Sequence, residues 1–408
     1  MIKYLRILAC VAAAIAVTAC GVSGNDEPDI PPTPVNPDPV NTTVLVYMAA
    51  SNSLGVQKND SMDIREMQEA ARAGHFNGNR LLVYHAGYQT PQTLSEITSD
   101  GKIVRLKEYS DDGLTSIHSA RMKKVIADAK TTAPSNKFGL ILWSHGDGWL
   151  QNGFDDKTLE TTPSANNGFV HKPLAYGWGE ENSRKMKITT LARTLEQVGQ
   201  LDFVYFDCCY MASVEVAYEM RKATPYIVGS VIELPAEGMP YNKTLQYLFK
   251  TSGPDLVAAA TTTFDHFDQM RGEDRTCAMS VIRTAGLENL AKKTLEVYQS
   301  GIFNSYNGYE PQPFMTSANC YFFDLADYVQ KFADFRAPQL KEEWQKAFDD
   351  TVIFSRATPY IWNRVSLDRC NGLSTFLLND EQTAINSLYY TLSWYADVAN
   401  RLIPPEVD

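Results

Sequence analysis

Apolar residues along this chain gather into short unbroken runs, separated by stretches where they recur every three or four positions. Thr43-Val44-Leu45-Val46-Tyr47-Met48 is the first such run, and its length suits a strand rather than a helix. Leu81–Ala86, Phe138–Trp143, Phe203–Phe206 and Tyr226–Val231 repeat the type, with a more polar candidate at Lys102–Leu106. Between them, Met62, Ile64, Met67 and Ala70-Ala71 keep helical spacing, as do the stretches Ser116–Ala129 and Ile188–Val198. An unbroken apolar strand is one buried on both faces. Such strands alternating with amphipathic helices predict an α/β fold: a three-layer α/β/α sandwich around a mostly parallel sheet. No internal repeat is present.

From Leu256 onward the pattern reads mainly helical, with Trp344, Phe348, Trp362, Trp394 and the Tyr389-Tyr390 pair as packing aromatics. Residues 42–250 are therefore expected to form the sheet domain, and 251–408 a mainly helical C-terminal subdomain beside it. Residues 21–41 hold six of the chain's twenty prolines and suit an extended tether that builds no core. Its acidic group, Asp26-Glu27 and Asp29, fits either a surface-export signal or ordinary solvated linker charge. Residues 1–20 carry Lys3 and Arg6 ahead of an apolar run, Ile7–Ala19, that is too short to span a bilayer. Val17-Thr18-Ala19-Cys20-Gly21 then resembles a bacterial lipobox, which implies acylation of Cys20 and anchoring in the cell envelope. The outer membrane is expected, with the chain facing the periplasm or the exterior. Plain secretory cleavage near Ala19 is the alternative.

Composition narrows the partners. Over 408 residues the hydrophobic share is 44%, the charged share 21% and the formal net charge -11. That balance argues against a nucleic-acid surface, which needs concentrated basic charge. Of seven cysteines, Cys10 leaves with the signal and Cys20 is the lipidation candidate. Cys208, Cys209, Cys277, Cys320 and Cys370 remain, and an odd number in an exported chain leaves a free thiol. No CxxC pair supports zinc, so no zinc site or cofactor is expected; no Asp-rich loop has a recognisable calcium spacing, which leaves a calcium requirement open but unsupported.

Two reactive residue types sit just past strand ends, where open parallel sheets place their sites. His145 follows Trp143-Ser144, and Cys209 follows Phe206-Asp207-Cys208. A thiol is mostly protonated at neutral pH, and a neighbouring imidazole makes thiolate available and later protonates a leaving amine. The amides of Gly146 and Cys209 are placed to bind a developing oxyanion. Gly146 would also leave room for a substrate backbone.

Tyr47-Met48-Ala49-Ala50, Trp143-Ser144-His145-Gly146 and Phe206-Asp207-Cys208-Cys209-Tyr210-Met211 resemble, in order, the motifs of clostripain-like cysteine peptidases, which have a caspase-like fold. Val228-Gly229-Ser230 followed by Pro235 and Gly238-Met239-Pro240-Tyr241 is similar to the next block. The resemblance covers residues 43–248 and implies an endopeptidase acting on polypeptides through an acyl-thioenzyme. It implies Cys209 as nucleophile, with Cys208 at the variable position of an Asp-x-Cys motif, and His145 as its partner. It further implies that Asp207 lines the S1 pocket and selects Arg or Lys; Glu237, which follows the next strand of the same block, fits either a second pocket carboxylate or a solvated loop charge. Self-cleavage is implied within the polar insertion 150–187, after Lys157 first, though Lys172, Arg184, Lys185 and Lys187 also lie there. Two features depart from the pattern: Val231-Ile232 precede Glu233 where acidic residues are common, and Ser51-Asn52-Ser53 replaces a frequent aspartate. Two rival readings follow, a surface binding lipoprotein that has lost catalysis and a caspase-fold protease selecting Asn or Asp.

Overall fold

The computed structural model describes residues 39–109, 112–151, 176–301, 309–317, 319–379 and 382–402. In chain order the strands that matter are β1 (Val40–Ala50), β2 (Arg80–Gly87), β3 (Gln92–Ile97), β4 (Ile103–Tyr109), β5 (Ser135–Trp143), β6 (Trp178–Glu181), β7 (Arg184–Met186), β8 (Phe203–Asp207), β9 (Tyr226–Ser230), β10 (Ala278–Arg283), β11 (Phe323–Asp324) and β12 (Val352–Ala357). Nine of these make one sheet among the described residues, in the order β12-β10-β9-β8-β5-β1-β2-β3-β4. Its five central strands are parallel. Each edge adds two antiparallel strands.

The pleat of these strands sorts their side chains into two cores. Leu45, Tyr47, Leu140, Leu142, Val204 and Phe206 face one side, against Met122 and Val125 of a helix over Ser119–Thr132, Leu191 of one over Ile188–Gln197 and Val216 of one over Val214–Met220. Val46, Met48, Ile141, Trp143, Phe203 and Tyr205 face the other. There they meet Met67 of a helix over Asn59–Arg72, Leu245 of one over Tyr241–Leu248 and Phe264 of one over Leu256–Asp268. The expected three-layer α/β/α sandwich is thus present. A helix start expected at Ser116 falls at Ser119, because the His118 ring accepts from the Ala120 amide and caps the first turn there.

The sheet does not stop at residue 250. β10 pairs with β9 and β12 with β10, so the C-terminal segment both extends the sheet and adds helices. β10 reads Ala-Met-Ser-Val-Ile-Arg, six residues with a serine in their middle, which hides it among helical neighbours. A second tie lies at the opposite core. Ser374 donates its amide to Ala212 O at 3.0 Å, just beyond Cys209, and Trp149 packs on Phe322, Phe376 and Tyr389.

Register then places the chemistry. Met48 pairs with Trp143 and Trp143 with Asp207 across three adjacent parallel strands. His145 and Cys209 each lie two residues beyond that row. They leave neighbouring strands at one level on the carboxyl edge of the sheet.

Candidate active site

The histidine loop is braced from beneath. Ser144 Oγ donates to Ala49 O at 2.7 Å and accepts from Glu180 N at 3.2 Å. Buried Asn52 donates to Ala49 O, Glu180 O and Ser144 Oγ. The Ser51-Asn52-Ser53 turn, a departure from the resembled pattern, is therefore structural here. Ser53 goes further, with its Oγ 2.8 Å from His145 Nε2. That bond fixes the imidazole and leaves Nδ1 without a partner among the described residues.

The cysteine loop is shaped by its turn. β8 ends at Asp207, so the pleat does not separate the two cysteines as alternation had implied. Tyr210 takes φ 62°, and its amide donates to Ile232 O at 3.1 Å. A non-glycine residue in that region marks a constrained turn. Tyr210 is held by stacking on Phe322, ring centroids 4.7 Å apart. The result turns Cys208 into the core and leaves Cys209 half-buried at a cleft.

That cleft encloses about 200 Å³ and is lined by His145, Gly146, Asp147, Cys209, Tyr210, Glu233, Leu234 and Trp362. Thiol and imidazole thus share one cavity. Gly146 serves close packing rather than substrate space alone. A Cβ there would sit 2.7 Å from Cys209 O and 3.1 Å from both Cys208 Sγ and Met211 Sδ. Gly146→Ala is accordingly expected to cost about 1–3 kcal/mol of stability through overpacking and to displace the thiol. Thermal unfolding and kcat/KM measured together check this; unchanged values for both would contradict it.

Electrostatics set the resting protonation. Burial pushes the Cys209 thiol up to about 12; Glu233 and Asp147 push the same way, while the Leu234 amide at 3.4 Å and Lys185 oppose. Burial and then Lys185 hold His145 below its ordinary value, against Glu180 and Asp147. Both groups are therefore neutral in this state. Lys185 is half-buried in β7, 2.9 Å from Asp147 and 3.7 Å from Glu180. Its ammonium is spent within the site.

Other expected residues lie elsewhere. Asp207 is 5% exposed and outside the cleft lining, accepting from Met239 N and Tyr241 OH, both at 2.9 Å. Burial pushes its carboxyl up to about 6. Gly238 covers it so closely that a Cβ there would come within 2.9 Å of Asp207 Oδ1. An S1 role for Asp207 thus does not match this arrangement without movement of residues 238–241. Glu237 is exposed and bonded to His266 Nε2 at 3.0 Å, and it too does not line the cleft. Lys157, like Cys20, lies outside the described residues. Trp362, expected as core packing, instead walls the cleft from the C-terminal segment, with Nε1 donating to Glu233 Oε2 at 2.8 Å. No sequence pattern points to it. Glu233 had a signal, as the first acid after the Gly-Ser block. Among the described residues no group of three or more His, Cys, Asp or Glu has metal-holding geometry, and no helix is long and apolar enough to cross a membrane.

The sequence model of the clostripain family, peptidase family C11, matches residues 46–358, spanning both loops of this cleft and the added strands β10 and β12. The chain belongs to the clostripain family. Solved structures agree with that placement. A secreted C11 cysteine protease from Bacteroides thetaiotaomicron, in complex with an irreversible peptide inhibitor, is 26% identical at a TM-score of 0.71. The match covers 88% of this chain and 98% of that one. An inactive zymogen C11 protease from Parabacteroides distasonis is also 26% identical, with a TM-score of 0.73, over 89% of this chain and 99% of that one. No match was found among curated proteins. As a clostripain-family member the chain is a cysteine peptidase and acts on polypeptides.

Proposed function

We propose that Cys209 is the nucleophile and His145 its proton-transfer partner in endopeptidase cleavage after Arg or Lys. The observation that carries this reading is the shared register, which sends both residues from adjacent strands into one cleft. With Nε2–H donating to Ser53 Oγ, Nδ1 is the nitrogen free to take the thiol proton. Sγ then attacks the scissile carbonyl, and the oxyanion is met by the amides of Gly146 and Cys209. Neither amide is spent on another described residue. The protonated imidazole passes its proton to the departing amine, leaving an acyl-thioenzyme that water hydrolyses with His145 as base.

The basic preference is supported by carboxylates without cations. Asp207, Asp63 and Glu66 lie together behind the cleft, with no cationic partner within 4 Å among the described residues. Burial and the Asp207 charge push Asp63 up to about 10. Asp63 is thereby protonated, and the negative charge left on its neighbours would attract a guanidinium or ammonium in the cleft without displacing the bonds that enclose Asp207. Hydrolysis of matched Arg, Lys, Asn and Asp reporter peptides tests this. Arg and Lys are expected to be cut, whereas turnover confined to Asn or Asp would overturn the specificity.

Self-cleavage after Lys157 and an acyl anchor on Cys20 belong to the same reading. Asp147 N donates to Gly177 O at 3.1 Å and Gly177 N donates to the Asp147 carboxylate at 3.0 Å, tying Gly177 to the catalytic loop. Lys185, half-buried and held in two ion pairs, is a poor cleavage point. Intact-mass analysis of membrane-extracted protein tests both ideas. Expected are an acylated fragment beginning at Cys20 and a cut after Lys157, with Cys209→Ala keeping the acyl mass and losing the cut. Equal cutting in both forms would refute self-processing, and an unacylated N-terminus would refute the anchor.

A further inference from the structure

Glu233 is the carboxylate in contact with the cleft, and its surroundings differ from those of Asp207 and Glu237. It is half-buried, lines the same cavity as Cys209 and His145, and has no cation within 4 Å among the described residues. Asp147, the cleft's other acid, is neutralised by Lys185. Asp207 has both oxygens occupied beneath Gly238, and Glu237 points to His266. Glu233 alone among these four presents charge to the cavity without a countercharge.

Its geometry is held by an unusual element. Trp362 donates Nε1–H to Glu233 Oε2 at 2.8 Å from the tip of a short hairpin, Tyr360–Ile361 with Val365–Ser366. Trp362 and Asn363 at that tip have φ of 48° and 53°. Bulky side chains seldom adopt this conformation, though it suits the central residues of the turn that Arg364 N closes onto Ile361 O at 2.8 Å. The Trp362 amide is fixed to Thr276 Oγ1 at 2.8 Å. The backbone is thus constrained where the indole meets the carboxylate.

We infer that Glu233 is the specificity-determining residue, receiving the Arg or Lys side chain of the substrate, and that Trp362 is the positioning residue that aims it. This rests on the basic preference proposed above and names the group that reads it. A consequence follows for the thiol. Cys209 is faced by Glu233 after β9, by His145 and Asp147 after β5, by Lys185 on β7, and by Cys208 and Tyr210 of its own loop. Burial is the main reason its proton is tightly held, with the Glu233 charge adding to it. A cation docked on Glu233 offsets that charge and eases proton loss. The correct substrate thereby assists its own acylation.

The test is kcat/KM for matched Arg, Lys and Leu reporters on the full chain, in wild type, Glu233→Gln, Trp362→Phe and Asp207→Asn. Iodoacetamide alkylation of Cys209 across pH is followed alongside. Glu233→Gln keeps the shape and an acceptor for Trp362, and coincident thermal unfolding shows that it folds. Expected is a loss of the basic-over-Leu preference by about tenfold or more in Glu233→Gln. A smaller loss is expected in Trp362→Phe, and faster alkylation of unliganded Glu233→Gln at a given pH. If wild type prefers Arg and Lys while Glu233→Gln retains that preference and Asp207→Asn loses it, the inference is overturned and the proposed specificity stands. If wild type shows no basic preference, both fall.

Discussion

Cys209→Ala is expected to lower kcat/KM by at least about 10⁴-fold on any peptide the enzyme cuts. Cys208→Ala is expected to keep most of the activity while losing on the order of 1 kcal/mol of stability. The contrast follows from position. Cys208 is 4% exposed, sits among core residues, and is held strongly protonated by burial. Cys209 is half-buried, reaches the cleft, and accepts the Leu234 amide at its sulfur. The Leu234 bond stabilises thiolate over thiol at Cys209, whereas burial dominates at Cys208. Steady-state kinetics on the two variants, with unfolding curves to show that each folds, decide the matter. Equal losses would contradict the assignment of the nucleophile to Cys209 alone.

Removing the imidazole has the second large effect. His145→Ala is expected to reduce kcat/KM by about 10²–10⁴-fold, as for other positioned general bases. The sign of the pH dependence follows from its environment. The neutral imidazole accepts the thiol proton, so activity falls as His145 becomes protonated on the acid side. Burial and then Lys185 hold that protonation below the ordinary value of 6.5, so the acid limb of kcat/KM lies below it. Lys185→Met removes one downward influence and also leaves the Asp147 charge uncompensated. Both changes raise the affinity of His145 for a proton, so the acid limb moves to higher pH. A limb that stays in place, or moves down, would show that Lys185 does not act on the histidine.

How far the chain could be read in advance depended on where a residue's burial comes from. β1, β2, β5, β8 and β9 are unbroken apolar runs because both of their faces are covered, and periodicity finds such runs directly. β3 packs near an edge with half of its residues only partly buried, so Gln92–Ile97 gave no comparable signal, and largely exposed β4 showed only as a more polar candidate. β10 borrows its order from β9, and β12 from β10, long-range pairings that no local window contains. The same division holds at the site. His145 and Cys209 were legible because each follows a recognisable strand within a short motif. Trp362 reaches the cleft through a hairpin remote in sequence, and Ser53 through a turn whose chemistry resembles any polar loop. Asp207 shows the opposite limit. Its place in an Asp-x-Cys motif says nothing about Gly238 and Tyr241, which enclose its carboxylate.

Covalent labelling tests the central claim most directly. The full chain is treated with an acyloxymethyl ketone bearing Lys or Arg, and the modified peptide is mapped. The account predicts one adduct, on Cys209, absent in Cys209→Ala and strongly slowed in His145→Ala. An adduct on Cys208, Cys320 or Cys370, or labelling of Cys209 that proceeds equally well without His145, would contradict it.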